Sequence, residues 1–233
     1  MKPDIKPHLL LLHGALGSKS QFDSLTELLA GTFNVHAINF SGHGGEKIPV
    51  DGYSILLFEN DVLDYMNVNE IGSAFIFGYS MGGYVGLSLA GIHPDKVRSV
   101  YTLATKLEWN PEVANKESGM LNPETILEKI PKFAKQLEER HHPADWKQIM
   151  QKTAAFMKIL GDQPLDEKFF RTIHCPVMLS VGDRDKMVGV SETFHVFKFL
   201  TRGSLYVMPQ TNHPFEMVDH KRLALEIIRY FNF

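Results

Sequence analysis

Four segments of this 233-residue chain carry groups that can do nucleophilic and acid–base chemistry together. Ser80 lies in Gly78-Tyr79-Ser80-Met81-Gly82, a Gly-x-Ser-x-Gly pentapeptide. Asp183 and Asp185 follow Gly182, and His213 closes the segment Pro209-Gln210-Thr211-Asn212-His213. His13-Gly14-Ala15 follows a short apolar run. A serine hydroxyl is a weak nucleophile and needs a neighbouring base. Imidazole suits that task because its ordinary pKa lies near neutrality. A carboxylate holds the imidazole tautomer and stabilises the imidazolium, and backbone N–H groups stabilise the tetrahedral oxyanion. These residue types together specify acyl transfer through a covalent serine intermediate. Competing assignments are Ser80 as an ordinary helix cap, Asp183 in place of Asp185, and Glu108, the carboxylate nearest the strand that ends near Ala104.

The elements around these residues must deliver them to one place. The apolar run Ala74 to Phe77 ends in the pentapeptide, and Tyr84 to Ala90 reads as a helix. That makes a strand, a sharp turn with Ser80 at its apex, and a helix. A side chain at Gly78 or Gly82 would collide where strand and helix pass closely. His8 to Leu12 is a continuous apolar run, as in a strand buried on both faces. Ser18 is positioned to cap a helix over Gln21 to Ala30, with Phe22, Leu25, Leu28 and Leu29 on one face. A strand over Phe33 to Phe40, a helix capped by Ser54 and running to about Val68, and a strand over Val97 to Ala104 follow. This alternation predicts an α/β fold with a mostly parallel, doubly wound sheet of about six strands. From Thr105 to Arg171 no strand is evident. Amphipathic helices fit near Pro123 to Arg140, Pro143 to Leu160 and Asp166 to Thr172, with Leu127, Ile130, Phe133, Trp146, Met150, Phe156 and Met157 at helical spacing. These residues fit either a small core of their own or the inner face of a lid. The rhythm then resumes with a strand over Pro176 to Val181, a helix over Ser191 to Leu200, a strand over Ser204 to Met208 and a helix over Pro214 to Phe231. The expected organisation is therefore a core of residues 1–104 and 172–233 with a helical cap inserted at 105–171. In a parallel sheet the functional loops lie at the strands' carboxyl ends. His13-Gly14, Ser80, Asp183 with Asp185, and His213 all fall at that edge.

On these residues the chain resembles the α/β-hydrolase family over nearly its whole length. The order Ser80, Asp, His213 is the order of that family. Gly-x-x-Asp followed by a hydrophobic residue resembles its acid loop and points to Asp185. His13-Gly14 resembles its oxyanion loop, which implies the Ala15 N–H as one donor and the Met81 N–H as the other. Leu16, Tyr79 and Phe215 are the expected substrate contacts. The loop Asn39-Phe40-Ser41-Gly42-His43-Gly44 departs from the family's Asp-x-x-Gly-x-Gly, and the leading antiparallel strands have no counterpart. The resemblance implies a serine hydrolase of esters or thioesters with small to medium, partly apolar substrates. The His-Gly-x-Leu-Gly-Ser loop and the Gly-Tyr-Ser-Met-Gly-Gly elbow are also similar to those of the menaquinone-pathway lyase and of small acyl-carrier methyl esterases. Carbon–carbon bond chemistry on an anionic substrate would need cations in the pocket, and Lys106, Arg140 and Arg184 are the candidates. A ligand-binding module on the same fold would be expected to have lost a member of the triad.

Composition narrows the partners. The net charge is −3, which leaves no electrostatic footprint for nucleic acid. A small-molecule substrate is expected, with the protein a monomer or weak homodimer. Met1 to Pro7 lacks a signal-peptide pattern, and no stretch approaches the ~20 apolar residues of a membrane span. The one cysteine, Cys175, reads as a small buried residue, and a cytoplasmic location is expected. His43 is a candidate pocket or loop residue. His141-His142 is not a metal pair, because adjacent helical residues diverge. No cofactor and no metal are implied.

Overall fold

The computed structural model of the protein describes residues 6–232, so the reading of Met1 to Pro7 lies largely outside the described residues. Six strands form one sheet: β1 (His8–Leu12), β2 (Asn34–Ile38), β3 (Ala74–Tyr79), β4 (Val97–Leu103), β5 (Val177–Gly182) and β6 (Gly203–Met208). All pairings are parallel, in the order β2-β1-β3-β4-β5-β6. The order reverses between β1 and β3, and a crevice opens at the strands' carboxyl ends at such a switch point. The His13 loop follows β1 and Ser80 follows β3, so both face this crevice.

Side chains along β1 divide between two cores, as a period of two requires. Leu9 and Leu11 join Phe22, Leu25, Phe77, Leu223 and Ile227 on one face. That face is covered by α1 (Asp23–Leu29) and α10 (His220–Phe231). Leu10 and Leu12 join Phe58, Val62, Val85, Leu87 and Val196 on the other. That face is covered by α2 (Ile55–Val68), α3 (Met81–Ile92) and α9 (Val190–Phe197). Ser54 caps α2 as expected, its hydroxyl accepting from the Leu57 N–H at 3.1 Å. Residues 81–90 of α3 are all buried, which fits a helix enclosed on every side.

Five helices lie between β4 and β5: α4 (Pro111–Gly119), α5 (Pro123–Lys129), α6 (Pro131–His141), α7 (Trp146–Asp162) and α8 (Glu167–Phe170). Three helices differ from the sequence expectation. The single helix over Pro123 to Arg140 is two, because Pro131 has no N–H to continue α5 and instead starts α6. Helix α4 was not expected at all, although Asn110 caps it through the Val113 N–H at 2.9 Å and Pro111 opens its first turn. The helix over Pro214 to Phe231 likewise begins as a short 3-10 turn at Phe215–Met217, and α10 starts only after its own cap at Asp219. The apolar residues of this segment do not form a separate core. Ile126, Leu137, Trp146, Ile149, Met150 and Phe156 join the same cluster as α2 and α3. Leu127 and Ile130 are exposed instead.

Candidate active site

Ser80 sits between the last residue of β3 and the first of α3 with φ 51° and ψ −117°. A non-glycine residue in that region is strained and must be held by its surroundings. The Ser80 N–H donates to the Leu103 carbonyl at 2.9 Å, which ties the turn to the end of β4. The glycines on either side allow the close passage. A Cβ on Gly78 would meet the backbone of Gly82 and Gly83, and one on Gly82 would meet the carbonyls of Leu12 and His13. An Ala at either position therefore requires the backbone itself to move.

The loop after β1 approaches Ser80 from the other side of the switch point. A Cβ on Gly14 would lie 3.1 Å from the Ser80 Cβ. Among the described residues, neither the Ala15 N–H nor the Met81 N–H donates to a turn, cap or side-chain acceptor. Leu16, one residue on, has φ 57°, and its carbonyl accepts from Arg140 Nη1 at 3.0 Å and from His141 Nε2 at 3.1 Å. His141 Nδ1 accepts the Gly44 N–H at 3.0 Å, which assigns the proton to Nε2. His13 fixes the start of the same loop. Its Nε2 accepts from the Phe40 N–H at 3.2 Å and its Nδ1–H donates to the Gly14 carbonyl at 2.8 Å. Burial lowers His13 to about 3 and His141 to about 4, so both are neutral at pH 7.

Asp185 and His213 meet at the ends of β5 and β6. Asp185 Oδ2 accepts from His213 Nδ1 at 2.8 Å, and the Asp185 side chain is fully buried. Its Oδ1 accepts the Met187 and Val188 N–H groups, both at 2.8 Å. The carboxylate is thus oriented by the turn that follows it. With the Nδ1 proton directed at Asp185, His213 Nε2 is left to act as the acceptor. The Tyr79 hydroxyl donates to the His213 carbonyl at 2.8 Å and steadies the loop. Asp183 is turned elsewhere: its Oδ1 accepts the Thr211 N–H at 3.2 Å, a turn-stabilising role. Glu108 is exposed on the loop after β4.

Ala15, Ser80, Met81 and His213 line a cavity with about 540 Å³ of non-atom space, open solvent included, of which about 50 Å³ admits the centre of a water molecule. It is also lined by Tyr84, Trp109, Phe156, Met157, Leu160, Ile55, Met187 and Val188. Leu16, Tyr79 and Phe215 do not line it. Leu16 is buried under α6, Tyr79 supports His213, and Phe215 is fully buried against Phe22 and Tyr79. Of the three candidate cations only Lys106 reaches the wall. It is paired rather than solvated, lying 3.4 Å from Glu192 and 3.7 Å from Glu117. Arg140 is engaged with Leu16 and with Glu216, the latter at 2.9 Å, and Arg184 is exposed. His43 is fully buried beside His13 and His141, away from the cavity wall. Met187 and Val188 were findable from sequence as the neighbours of Asp185. Glu117 was not, because α4 itself went unread.

Cys175 is half-buried, and burial pushes its thiol up to about 11, so it is unreactive at neutral pH. Among the described residues no cluster of His, Cys, Asp and Glu is arranged to hold a metal ion. No described helix is long and apolar enough to cross a membrane.

A parallel sheet with a strained serine at a strand-to-helix turn, set against a histidine–aspartate pair, defines a recognisable class of α/β architecture. A family model described as alpha/beta hydrolase fold matches residues 7–155, more than half of the chain, and the chain belongs to that family. A pimeloyl-(acyl-carrier protein) methyl ester esterase of Neisseria meningitidis is 34% identical over 103 residues, 44% of this chain and 38% of that protein. A probable alcohol acetyltransferase of Cyberlindnera jadinii is 35% identical over 95 residues, 39% of this chain and 26% of that protein. The matched stretches therefore span well under half the length of these relatives. The enol-lactonase of Burkholderia xenovorans has the same fold, with a TM-score of 0.80 at 17% identity over 100% of this chain and 94% of that one.

Proposed function

We propose that the protein is a serine hydrolase of carboxylic esters or thioesters, with Ser80 as nucleophile, His213 as general base and Asp185 as the group that orients it. The observation that carries this reading is the 2.8 Å Asp185–His213 hydrogen bond beside the same cavity wall that holds the strained Ser80. Ser80 Oγ attacks the carbonyl carbon while its proton passes to His213 Nε2. The oxyanion is held by the Ala15 and Met81 N–H groups, the second at the positive end of α3. Collapse breaks the carbonyl carbon–oxygen or carbon–sulfur bond, and the alcohol or thiol leaves with the proton from His213. Water then attacks the acyl-enzyme by the same route in reverse. The helices at 105–171 act as a cap, since Trp109, Phe156, Met157 and Leu160 line the same cavity as the serine. Those apolar walls favour a small to medium, partly apolar acyl or alcohol group. They count against carbon–carbon cleavage of a polyanion, because the cavity's one cation, Lys106, already faces two carboxylates. The curated esterase relative fits the ester reading.

A fluorophosphonate probe is expected to label the folded protein at Ser80 and to leave Ser80→Ala unlabelled. Hydrolysis of esters of graded acyl length is expected to fall by about 10⁴-fold or more in Ser80→Ala. Equal labelling of Ser80→Ala would overturn the nucleophile assignment.

A further inference from the structure

The cavity wall holds two charged groups that the acyl-transfer chemistry does not use, Lys106 and Glu117. Glu117, on α4, lies in the wall with its side chain only 5% exposed. Among the described residues its carboxylate accepts no hydrogen bond, and the cation paired with it is Lys106 Nζ at 3.7 Å. Lys106 is already committed elsewhere. Its ammonium donates to the Met187 carbonyl at 3.1 Å and to Glu192 Oε2 at 3.4 Å. Glu192 in turn uses Oε1 to accept the Leu107 N–H at 3.2 Å, so it has a structural task. Glu117 has none. A carboxylate in a cavity wall whose only partner is a shared ammonium at 3.7 Å has acceptor capacity left over for a ligand.

The other polar groups of the cavity wall away from Ser80 each have at least one hydrogen-bond partner. The Thr153 hydroxyl donates to the Ile149 carbonyl at 2.8 Å, and Trp109 Nε1 donates to the Lys106 carbonyl at 3.2 Å. The Tyr84 hydroxyl oxygen accepts the Leu165 N–H at 2.6 Å. Among the described residues, no donor of the wall lies within hydrogen-bond distance of the Glu117 carboxylate. A second carboxylate brought there would face Glu117 and Glu192 against a single ammonium.

We infer that Glu117 is a specificity residue that receives a hydroxyl carried on the apolar chain of the substrate, and that the same cluster turns away a chain bearing a carboxylate. The hydroxyl donates to Glu117, and the intervening methylenes lie along Phe156, Met157 and Leu160. The inference rests on the hydrolase reading only in placing the ester at Ser80.

The test is binding to Ser80→Ala, which removes turnover from the measurement. Methyl ω-hydroxyalkanoates and monomethyl dicarboxylates, matched over chains of roughly six to ten carbons, are titrated by calorimetry. At the best-fitting length the hydroxy ester is expected to bind about tenfold or more tightly than the carboxylate. Adding Glu117→Gln, which keeps the shape and removes the charge, is expected to bring the two within about threefold; Glu117→Met serves as a second variant that removes the acceptor altogether and should cost hydroxy-ester affinity. Equal binding of the two esters at every length would overturn the inference, as would an unchanged preference in both variants. Labelling of the wild-type protein by fluorophosphonate separates the two readings. A labelled Ser80 with no preference removes this inference alone. An unlabelled Ser80 with the preference intact removes the hydrolase reading and leaves Glu117 as a ligand-binding group.

Discussion

At the residue scale, two aspartates three positions or fewer past the same strand have different partners. Asp185 accepts from His213 and two backbone N–H groups, whereas Asp183 accepts only the Thr211 N–H. Asp185→Asn presents a donor to the imidazole in place of an acceptor and favours the wrong tautomer. It is expected to lower kcat by roughly 10⁴-fold with the fold intact, while Asp183→Asn stays within about threefold of wild type. Steady-state ester kinetics on both variants check this, and a comparable loss in Asp183→Asn would reverse the assignment. This distinction was only partly legible in the sequence. The run Gly182-Asp183-Arg184-Asp185 offers two carboxylates, and resemblance alone selected the second. Ser80 and His213 were readable from their places after apolar runs, because a parallel sheet sends every strand end to one edge. The substrate contacts were not readable. Tyr79 and Phe215 flank reactive residues in sequence, yet their side chains point into supporting contacts, which neighbours along a chain do not determine.

At the element scale, α6 reaches down from the helical segment and grips the loop beside Ser80. Arg140 and His141 both donate to the Leu16 carbonyl, and Arg140 also holds Glu216, three residues past His213. Leu16 has a positive φ, so its backbone needs such support. In the proposed mechanism Arg140 is therefore a positioning residue for the Ala15 N–H and for the His213 loop together. An oxyanion donor acts on the transition state more than on the bound ester. Arg140→Ala is thus expected to lower kcat by about tenfold while KM changes by less than about twofold, with partial recovery in Arg140→Lys. A change confined to KM would assign Arg140 to the cavity wall instead. The helices that carry this contact were visible as amphipathic periodicity, but their breaks were not all resolved. Pro131 and the Asn110-Pro111 pair are ordinary start signals that a search for long apolar stripes passed over. The merging of these helices with the α2–α3 core was illegible, since spacing shows which face is apolar and not what it meets.

At the scale of the whole molecule, three buried histidines join the β1 loop, the β2 loop and α6. The rings of His13 and His43 lie 5.2 Å apart, and those of His43 and His141 lie 5.8 Å apart. His43 Nδ1 donates to the Ser41 carbonyl at 3.1 Å, and its Nε2 has no partner. Burial lowers all three: His13 to about 3, His141 to about 4, and His43 well below its ordinary value of 6.5. The sign of the linkage follows. Below pH 6.5 the unfolded chain takes up protons at these sites and the folded protein does not, so stability is fully present above that pH and is lost as pH falls toward 4 and then 3. Between pH 7 and 5 His13 and His141 each remove about 2 kcal/mol, a large share in sum of the ~5–15 kcal/mol that holds a typical domain, and His43 acts in the same direction. Glu59, Asp61 and Glu192 are raised by burial and oppose the trend, but hydrogen bonds or a lysine hold each of them back. Urea unfolding at pH 7, 6 and 5 is expected to show a midpoint that falls steadily with acidification. His43→Leu, which removes one of the three sites from an aromatic setting of Tyr53 and Phe58, is expected to flatten that slope by nearly one proton. A midpoint that stays level or rises from pH 7 to 5 would show that these rings titrate alike in the folded and unfolded chain. The joint between α6 and the loop beside Ser80 would then need another source of rigidity.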